Sequence, residues 1–552
     1  MDVSKAPYHH PLPWDTAFEA VTLPQLFARS TERAPGAPLV DFLGRIYSYA
    51  QLHDEARRFA AGLQALGIGK GDRVGLFLPN VPIYVSAYYG AMMAGAVAVN
   101  FSPLYTVEEL AQQVEDSGAK LLVTIDAASL LPTALEVLDS SSLERLVVGR
   151  LGDMLAPLKR IALKLLGRKS ISAIPPRADV LHWSSCTLES DLEPVACSPD
   201  DLALLQYTGG TTGRPKGAML THANLATNAL QVDAIDPFDR GEPDIIMGAL
   251  PLFHVFANTC VLNRTVAKGG CIAMVPRFEA GQVLKTIERV GTTAFPGVPT
   301  MFQALLDHKR IAKTDFSSLK VCISGGAALP APVREKFEAA SDARLVEGYG
   351  LTESSGVVST NPYQGLRKPG TIGQVIPQTR VRLVDKEDPT RPAPEGEPGE
   401  LVVAGPQIMQ GYWNRPDAAA TAFTELDGER WLRTGDIATI DADGFIAIVD
   451  RSKDMIAVGG FKVFPSQVEA VLLQHPAVKE ALIIGVPDDY LGETPRAYVT
   501  LAGEVEPDTL RDWLNARVGK HERLSGVVIR DELPKTMIGK LDRKALREEV
   551  FG

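Results

Sequence analysis

Residues 207–217 read Tyr-Thr-Gly-Gly-Thr-Thr-Gly-Arg-Pro-Lys-Gly and place four glycines and one lysine within eleven positions. Glycine lets the backbone turn through positive φ and bring its N–H groups close to an anion. Threonine hydroxyls add hydrogen-bond donors, and the lysine adds a mobile positive charge. This composition predicts a cradle for phosphate groups, and a nucleotide is the first substrate to consider.

The known alternative for such a segment is a Walker A loop, which has glycine directly before its lysine and Ser or Thr directly after it. Here Pro215 precedes Lys216 and Gly217 follows it, so the segment is not a Walker A loop. A flexible surface turn after the apolar run 202–205 is the second interpretation. Other motifs have to decide between the cradle and the turn.

Length and composition limit the kind of protein. A chain of 552 residues exceeds what one core supports, so about two to four domains are expected. A hydrophobic fraction of 45% and a charged fraction of 22% are ordinary for a globular enzyme. The net charge of -11 argues against binding of nucleic-acid polymers, which requires an excess of Lys and Arg.

The cysteines and the N-terminus indicate the compartment. The five cysteines show no CxxC spacing, so neither a disulfide framework nor a zinc site is predicted. Residues 1–14 contain no continuous apolar run, and no window approaches the roughly 20 apolar residues of a membrane span. We therefore expect a cytoplasmic protein.

Hydrophobic periodicity predicts an α/β chain with a β-rich part. Residues 39–122 alternate helix and strand patterns, with a helix over 50–66, a strand over 73–78 and a helix over 85–95. The same alternation continues through 244–275, 292–306 and 319–324. We expect two layered α/β subdomains here.

After about residue 367 the pattern changes to short strands separated by turns, at 381–384, 400–403 and 445–449. This part predicts a β-barrel-like subdomain. The last hundred residues predict a small α+β domain with a helix over 465–474, a strand over 480–486 and a helix over 508–518. We place the domains at 1–451 and 452–552.

Four further segments carry groups suited to nucleotide chemistry. Residues 347–353 read Glu-Gly-Tyr-Gly-Leu-Thr-Glu, which puts an aromatic ring near a threonine and a carboxylate. Residues 433–436 read Arg-Thr-Gly-Asp, and residues 450–460 run from Asp-Arg-Ser-Lys-Asp to Gly-Gly. Residues 534–540 read Pro-Lys-Thr-Met-Ile-Gly-Lys. Each charged residue alone is more often an ordinary surface charge, but five motifs in one order are not independent.

In this order the motifs resemble those of the adenylate-forming superfamily, which contains acyl-CoA synthetases, coumarate CoA ligases, luciferases and peptide-synthetase adenylation domains. The resemblance runs from about Phe27 to Leu546. It implies a mobile C-terminal domain and two steps. A carboxylate attacks the α-phosphate of Mg-ATP to give acyl-adenylate and pyrophosphate, and a thiol then displaces AMP.

The resemblance also implies roles for individual residues. Lys540 would bridge the acyl carboxylate and the α-phosphate, Thr352 would contact phosphate, and Lys453 would be the hinge of the C-terminal domain. His254 would guide the carboxylate, although a histidine in an apolar run is more often part of the core. Mg²⁺ would be held by Glu353 and Thr208. The remaining residues expected at the nucleotide are Gly209, Gly210, Thr211, Thr212, Gly213, Lys216, Gly325, Gly326, Ala327, Glu347, Gly348, Tyr349, Gly350, Asp436, Ile448, Arg451, Gly459 and Gly460.

Residues 151–170 bear on the acyl substrate. They predict one amphipathic helix with leucines on one side and Arg160, Lys164 and Arg168 on another. Such a helix suits a membrane interface, and packing against the core is an equal alternative. With the motifs, this basic insertion resembles bacterial long-chain fatty acid CoA ligases. We therefore expect fatty acid, ATP and CoA as substrates, with peripheral contact at the inner face of the membrane.

Several alternatives stay open from the sequence. The acyl tunnel is expected along 255–258, 295–301 and 325–328, but its depth is not readable, so a medium-chain or aryl acid is also compatible. An acyl-AMP ligase that loads a carrier protein would share every nucleotide motif. Ala457 and Lys462 differ from the lysine and glutamine of luciferases and coumarate ligases, which leaves the contacts on the thiol side undetermined. A homodimer is compatible with the sequence.

Overall fold

The computed structural model describes residues 6–187, 192–193, 195–208, 215–238, 244–459, 461–488, 490–536 and 539–552. The strands are β1 (Pro38–Phe42), β2 (Arg45–Ser48), β3 (Arg73–Leu76), β4 (Val97–Asn100), β5 (Ala119–Ile125), β6 (Arg145–Gly149), β7 (Val180–His182), β8 (Leu202–Thr208), β9 (Lys216–Thr221), β10 (Ile245–Gly248), β11 (Cys271–Met274), β12 (Ala294–Gly297), β13 (Val321–Gly325), β14 (Arg344–Tyr349), β15 (Ser359–Thr360), β16 (Gln374–Val375), β17 (Arg380–Val384), β18 (Gly399–Ala404), β19 (Gly411–Tyr412), β20 (Phe423–Leu426), β21 (Glu429–Ile440), β22 (Ile446–Arg451), β23 (Ile456–Val458), β24 (Phe461–Val463), β25 (Val478–Asp488), β26 (Gly492–Leu501) and β27 (Gly526–Ile529).

The α-helices are α1 (Leu23–Arg33), α2 (Tyr49–Ala65), α3 (Pro82–Met93), α4 (Val107–Ser117), α5 (Leu131–Ser140), α6 (Leu151–Met154), α7 (Pro157–Leu166), α8 (Trp183–Cys186), α9 (His222–Ala234), α10 (Val255–Ala257), α11 (Arg264–Lys268), α12 (Ala280–Val290), α13 (Pro299–Leu306), α14 (Ala331–Ser341), α15 (Pro416–Ala422), α16 (Pro465–Leu472), α17 (Pro507–Asn515) and α18 (Arg543–Phe551). A π-helix over Asn258–Asn263 joins α10 to α11. Short 3₁₀ turns occur at Thr352–Ser354 and Ser452–Asp454, among others.

Two mixed sheets form the layered part of the molecule. In the first, β14, β13, β12, β10, β11 and β1 are parallel neighbours, with β15 and β2 pairing antiparallel at the two ends of this run. In the second, β8, β4, β3, β5, β6 and β7 are parallel and β9 pairs antiparallel with β8. Parallel sheets of this type bind ligands beyond the carboxyl ends of their strands. A ligand-binding site is therefore expected at the carboxyl ends of these strands.

The core shared by the two sheets contains a helix that is buried almost completely. α3 starts with Pro82 in its first turn, where a missing N–H costs nothing. Its sequence is apolar or aromatic on every side, and such helices are buried on every side. Three tyrosines of α3 still satisfy their hydroxyl groups: Tyr84 donates to Asn100, Tyr88 to Asn258 and Tyr89 to Asn263. These bonds join the helix to the strand and π-helix beside the site.

Two smaller sheets follow in the chain. β17, β18, β21 and β20 form an antiparallel sheet, with β22 beside β21. β24, β23, β26 and β25 form another, with β27 beside β26, and α16 to α18 pack around it. We call this second group, from β23 to α18, the C-terminal unit. Its separate core contains Ile483, Leu510 and Leu514.

The segment before α1 is fastened to the β-rich region far along the chain. The Tyr8 hydroxyl donates to the carbonyl of Val375 at 3.0 Å, and the Trp14 indole N–H donates to the carbonyl of Thr379 at 2.8 Å. Gln374 returns a bond from its side-chain amide to the carbonyl of Pro7. Tyr8 and Trp14 also pack on the apolar core of this region, so the segment is held by both polar and apolar contacts.

The expected fold class is confirmed, and most expected elements are present within a few residues of their predicted ends. The single helix over 151–170 is wrong. The chain is extended at Leu155, and α7 begins with Pro157. A proline lacks the N–H that a continuing helix needs and disfavours the helical region for the residue before it, which explains the break.

Two observations bear on the membrane. Within the described residues, none of the helices has both the length and the apolar character needed to cross a bilayer. α7 has no buried residue, and Leu158, Leu165 and Leu166 are 82%, 73% and 88% exposed. The alternative of packing against the core therefore holds for Leu151, Met154 and Leu155 at the start of the stretch, but not for α7.

Candidate active site

A cavity of about 2010 Å³ opens at the carboxyl ends of β10, β12, β13 and β14 and continues between the first sheet and α10. It brings together the predicted catalytic, hinge and nucleotide-binding residues that the structure describes, with one exception given below. Besides those discussed individually, these are Gly325, Ala327, Gly348, Thr352 and Ile448. Gly209, Gly210, Thr211, Thr212, Gly213 and Gly460 lie outside the described residues.

The two strands that flank the predicted phosphate cradle are an antiparallel pair. Thr208 ends β8, Lys216 begins β9, and the two are directly opposite in register. The Thr208 hydroxyl donates to the carbonyl of Lys216 at 3.4 Å. Residues paired directly across two neighbouring strands lie at the same end of those strands. Thr208 and Lys216 therefore face the same end of the cavity.

A tyrosine, an aspartate and an arginine form a connected group in the cavity wall. The Tyr349 hydroxyl donates to Asp436, and the other oxygen of Asp436 lies 3.1 Å from Nε of Arg451. Asp436 and Arg451 are cross-strand partners on β21 and β22. Burial raises the pKa of Asp436, and Arg451 and Tyr349 oppose that effect. The hydroxyl of Tyr349 is thus occupied, which leaves its ring face to contact a base.

Glu353 is oriented by a residue that the sequence analysis did not single out. The hydroxyl of Tyr412 donates to Oε1 of Glu353 at 2.6 Å, and Nζ of Lys216 lies 5.3 Å from the centre of the Tyr412 ring. Tyr412 thereby links the phosphate cradle to the predicted metal ligand. Its position 59 residues from Glu353 offers no local sequence signal; only the pairing of β19 with β9 brings it here.

The donor atoms at Glu353 suit magnesium. Mg²⁺ is usually held by one or two carboxylates together with phosphate oxygens and water. In the part of the chain that the structure describes, groups of three or more His, Cys, Asp or Glu that could hold a metal are absent. One oriented carboxylate beside a hydroxyl and a phosphate cradle therefore fits magnesium better than a metal that needs a complete set of protein ligands.

Lys540 is delivered to this cavity by the C-terminal unit. Its ammonium group lies against Gly326, where an added Cβ would be 2.6 Å from Nζ and 2.2 Å from Cε. Gly326 has φ +83°, so both conformation and space require glycine. The Thr300 hydroxyl donates to the carbonyl of Gly539 at 3.0 Å and fixes the approach of the loop. Burial, together with Arg451, lowers the pKa of Lys540 to about 8.

His254 lies at the junction of the nucleotide and acyl parts of the cavity. Its Nδ1 accepts the backbone N–H of Phe256 at 3.3 Å, so it caps α10 and, as a neutral ring, carries its proton on Nε2. Burial and then the positive charge of Lys540 lower the pKa of His254 to about 3. At neutral pH His254 is therefore an uncharged hydrogen-bond donor rather than a second cation.

Glu347 connects the end of β14 to the segment after β13. Its Oε1 accepts the backbone N–H of Leu329 at 2.9 Å. Burial raises the pKa of Glu347 to about 7, against the effect of its backbone hydrogen bonds.

After β14, a Cβ on Gly350 would lie 2.0 Å from the carbonyl oxygen of Gly356. Glycine at 350 is thus required by the close approach of two backbone segments.

The one described exception is Gly459, which does not line the cavity. It lies in the β23–β24 turn with φ +56°, and its N–H donates to the carbonyl of Leu491 at 2.8 Å. Lys453, in contrast, lies at the cavity in the short turn between β22 and β23. The structure therefore has Lys540 inside the cavity and Gly459 outside it.

The expected acyl tunnel is partly correct. Pro296 and Val298 line the cavity, whereas Phe295 and Met301 do not. Phe295 packs with Phe302 and Phe337 in a second core on the opposite face of the sheet. Successive residues of a strand face opposite sides, which explains why Phe295 and Pro296 of β12 are separated, whereas Val298, Pro299 and Thr300 beyond the strand all line the cavity.

Comparisons with known proteins agree with this geometry. A family model described as AMP-binding enzyme matches residues 27–413, and the model of the AMP-binding enzyme C-terminal domain matches residues 467–540. The long-chain-fatty-acid CoA ligase of Bacillus subtilis strain 168 is 37% identical over 552 residues, covering 99% of this chain and 97% of the relative. A feruloyl-CoA synthase of Amycolatopsis is 36% identical over 527 residues, covering 95% and 98%.

Among solved structures, ATP-bound MatB from Rhodopseudomonas palustris superimposes with a TM-score of 0.83 at 28% identity, covering 96% of this chain and 99% of that one. The matched region includes both the layered part and the C-terminal unit. Family models over most of the chain, relatives above 30% identity and the placement of Lys540 beside Tyr349, Asp436 and Glu353 lead to one conclusion. The chain belongs to the family of AMP-binding enzymes.

Proposed function

We propose that this enzyme activates a long-chain fatty acid as an acyl-adenylate, with release of pyrophosphate, and then transfers the acyl group to CoA with release of AMP. The observation that carries the proposal is the position of Lys540 against Gly326, where the polar wall of Tyr349, Asp436 and Glu353 meets an apolar channel. A cation at that junction can contact both an acyl carboxylate and the α-phosphate of ATP.

The polar wall accounts for binding of the nucleotide. Thr208 and Lys216 contact the outer phosphates, the ring face of Tyr349 lies against the adenine, and Asp436 accepts hydrogen bonds from the ribose hydroxyls. Arg451 opposes the effect of burial, which raises the pKa of Asp436. Glu353 would hold magnesium, and the Thr208 hydroxyl would offer a second oxygen. Magnesium bound there would neutralise negative charge on the phosphate oxygens.

Lys540 acts in the first step. A carboxylate oxygen attacks the α-phosphorus, an O–P bond forms, and the bond to pyrophosphate breaks. Negative charge grows on the oxygens around phosphorus, and a fixed cation in a cavity of low dielectric stabilises it by several kcal/mol. His254, neutral with its proton on Nε2, donates to the carboxylate and orients it without competing with Lys540 for charge.

For the second step we infer a different arrangement of the C-terminal unit, in which Lys540 no longer lies against Gly326. We propose that residues 1–451 and 452–552 are the two domains and that Lys453 is the hinge between them. Lys453 lies in a turn of three residues between two sheets that share no strand, and a few such residues can absorb the backbone change. Rotation would withdraw Lys540 and bring the Gly459 turn to the site.

A long-chain acid is favoured by the apolar lining and by the bacterial relative named above, whereas the feruloyl-CoA synthase at similar identity favours an aryl acid as the second candidate. Mass spectrometry of products from Mg-ATP, CoA and a mixture of acetate, octanoate, palmitate, oleate, benzoate and coumarate separates them. We expect palmitoyl-CoA or oleoyl-CoA together with AMP. Aryl-CoA would support the second candidate, and acyl-adenylate without a CoA ester would point to loading of a carrier protein.

We also propose that α7 contacts the surface of an anionic membrane, which would place the enzyme at the source of its substrate. Its exposed leucines can enter the interface while Lys159, Arg160, Lys164 and Lys169 meet lipid phosphates. The test is sedimentation with anionic and neutral vesicles, comparing the native chain with a Leu158→Gln/Leu165→Gln variant. We expect loss of binding in that variant and not in Leu366→Gln, whose leucine is exposed elsewhere. Equal sedimentation of all three contradicts the proposal. A homodimer stays a prediction.

A further inference from the structure

The apolar channel of the cavity follows the strands of the first sheet from their carboxyl ends to their amino ends. One wall consists of alternate residues of two neighbouring strands: Ala294 and Pro296 of β12, and Val321, Ile323 and Gly325 of β13. Alternate residues face the same side of a strand, which makes this wall continuous. From Gly325 to Val321 the wall extends about 13 Å at roughly 3.3 Å per residue.

The opposite wall of the channel is helical and changes in character along its length. Beginning beside His254, it presents Phe256 and Cys260 and then Arg264 and Lys268 of α11. The channel is therefore apolar near Lys540 and charged at its far end. Two aspartates, Asp236 and Asp244, also line this far end.

Together with Asp233, which lies 3.8 Å from Arg264 and 3.7 Å from Lys268, these four residues form a buried ionic cluster, which we call the distal cluster. The guanidinium of Arg264 lies 2.5 Å from Oδ2 of Asp236 and 2.5 Å from Oδ2 of Asp244, and Lys268 pairs with Asp236. The side chain of Arg264 is only 6% exposed, and that of Asp236 is 7% exposed. Such a cluster is costly to bury and is not needed to close an apolar channel, because replacement by apolar side chains is often neutral for stability.

The carboxylates of the distal cluster retain capacity to accept further hydrogen bonds. A carboxylate offers about four acceptor positions. Asp244 accepts from Arg264 and, at 3.3 Å, from the Thr293 hydroxyl, and Asp236 accepts from Arg264, Lys268 and the backbone N–H of Phe238. A neutral hydroxyl that reaches the cluster can therefore donate to it, whereas a terminal methyl group would remove water from the charges and return nothing.

We propose that the distal cluster is a binding site for a hydroxyl group on the terminal carbon of the acyl chain. The strand register places Asp244 two residues beyond the level of Ala294 and Val321, which is about 20 Å from the level of Gly325 at roughly 3.3 Å per residue. An extended chain advances about 1.2 Å per bond, and the Asp244 side chain can reach back by about 3 Å, so the cluster is level with the end of an acid of roughly 15 to 18 carbons. ω-Hydroxy acids of that length are substrates that the enzyme prefers over the unsubstituted acids. This inference rests on the proposed activation of fatty acids.

The preference depends on chain length, which distinguishes it from general tolerance of a polar group. A shorter ω-hydroxy acid leaves its hydroxyl in the apolar part of the channel and loses the hydrogen bonds of water. A longer one cannot place its carboxylate at Lys540 and its hydroxyl at the cluster at the same time. The ratio of kcat/KM between hydroxylated and unsubstituted acid is therefore highest when the terminal carbon is level with Asp244.

The experiment measures this ratio for matched pairs of octanoic, dodecanoic, tetradecanoic, hexadecanoic, octadecanoic and eicosanoic acids and their ω-hydroxy forms, with Mg-ATP and CoA. In the native enzyme we expect a maximum of at least about tenfold for the hexadecanoic or octadecanoic pair. In Arg264→Met/Asp244→Leu, which removes the pairs of Arg264 with Asp236 and Asp244 and keeps Lys268 with Asp236, the maximum should disappear. In Arg367→Met/Glu338→Leu, an ion pair away from the cavity, it should remain.

A ratio of one or less at every length in the native enzyme overturns the proposal, and so does a maximum that persists in Arg264→Met/Asp244→Leu. If that variant does not fold, Asp244→Asn, which keeps the side-chain volume, must lower the maximum. Direct binding of the same acid pairs to the native enzyme by calorimetry provides a readout independent of turnover. An enzyme that forms no CoA ester from any acid refutes the proposed function. The ratio of the binding constants of each acid pair, measured by calorimetry, then still tests whether the distal cluster binds the hydroxyl group.

Discussion

In the nucleotide part of the cavity, the side chains are fixed by polar partners, as in the contact of Tyr349 with Asp436 or of Tyr412 with Glu353. In the acyl part, Ala294, Val321 and Ile323 form an apolar wall by strand alternation alone. The first arrangement fixes the chemistry, and the second determines which acid is presented to it. Substitutions in the nucleotide part should therefore affect every substrate equally, whereas those in the acyl part should act according to chain length.

The sharpest test of the nucleotide part is Lys540→Ala. We expect adenylation to fall by at least about two to three orders of magnitude for every acid, because the charge that stabilises the transition state is lost. Transfer of the acyl group from preformed acyl-adenylate to CoA should survive. Pyrophosphate release and CoA-ester formation measured separately give both rates, and an equal loss in both would contradict the role assigned to Lys540.

Lys453→Pro tests whether the two steps need two arrangements of the C-terminal unit. Proline restricts φ at the proposed hinge, so pyrophosphate release should continue while CoA-ester formation is blocked. Lys453→Ala is the control, since it removes the side chain but leaves the backbone free. Normal formation of the CoA ester in the proline variant would contradict the assignment of Lys453 as the hinge.

Ala294→Leu tests the acyl part. The added side chain occupies the space of about two to three methylenes, each worth about 0.8 kcal/mol when buried. We expect kcat/KM for palmitate to fall roughly 15- to 60-fold and that for octanoate to change little. Equal losses for both acids would mean that this wall does not measure chain length.

The smallest expected effect is on the pH dependence of adenylation, which again tests the nucleotide part. Lys540 acts in its protonated form and its pKa is lowered to about 8, so adenylation should fall about tenfold per pH unit above that pH. His254, with a pKa of about 3, should add no break between pH 5 and pH 8. In Lys540→Arg the alkaline break should vanish. An unchanged break would assign it to another group.

Much of this arrangement was predictable from the sequence, for identifiable reasons. Strand and helix periodicities in the layered part follow burial directly, so β3, α2 and α3 lie where their patterns place them. The nucleotide residues occur in short segments whose neighbours along the chain are also neighbours in space. Lys540 was predicted from its motif, although its contact with Gly326 depends on how two separate units meet.

What the sequence did not reveal depends on contacts between distant residues or on which side of a strand a residue faces. Tyr412 reaches Glu353 only through the pairing of β19 with β9. Phe295 and Pro296 are adjacent in sequence yet lie on opposite faces of the sheet. Arg264 belongs to the far end of the channel because the π-helix carries the chain there from His254. The periodic pattern of 151–170 concealed the break before Pro157.

The attachment of Tyr8 to Val375 has a consequence for biosynthesis. The two residues are separated by 367 positions, so the segment around Tyr8 leaves the ribosome long before its partner exists. At about 5 to 20 residues per second, this interval is roughly 20 to 70 seconds. During that time the apolar core on which Tyr8 and Trp14 pack does not yet exist. The segment before α1 can bind its partners only when the β-rich region has been synthesised. Completion of this contact is therefore a late event in the maturation of the chain, after the layered sheets have had time to form.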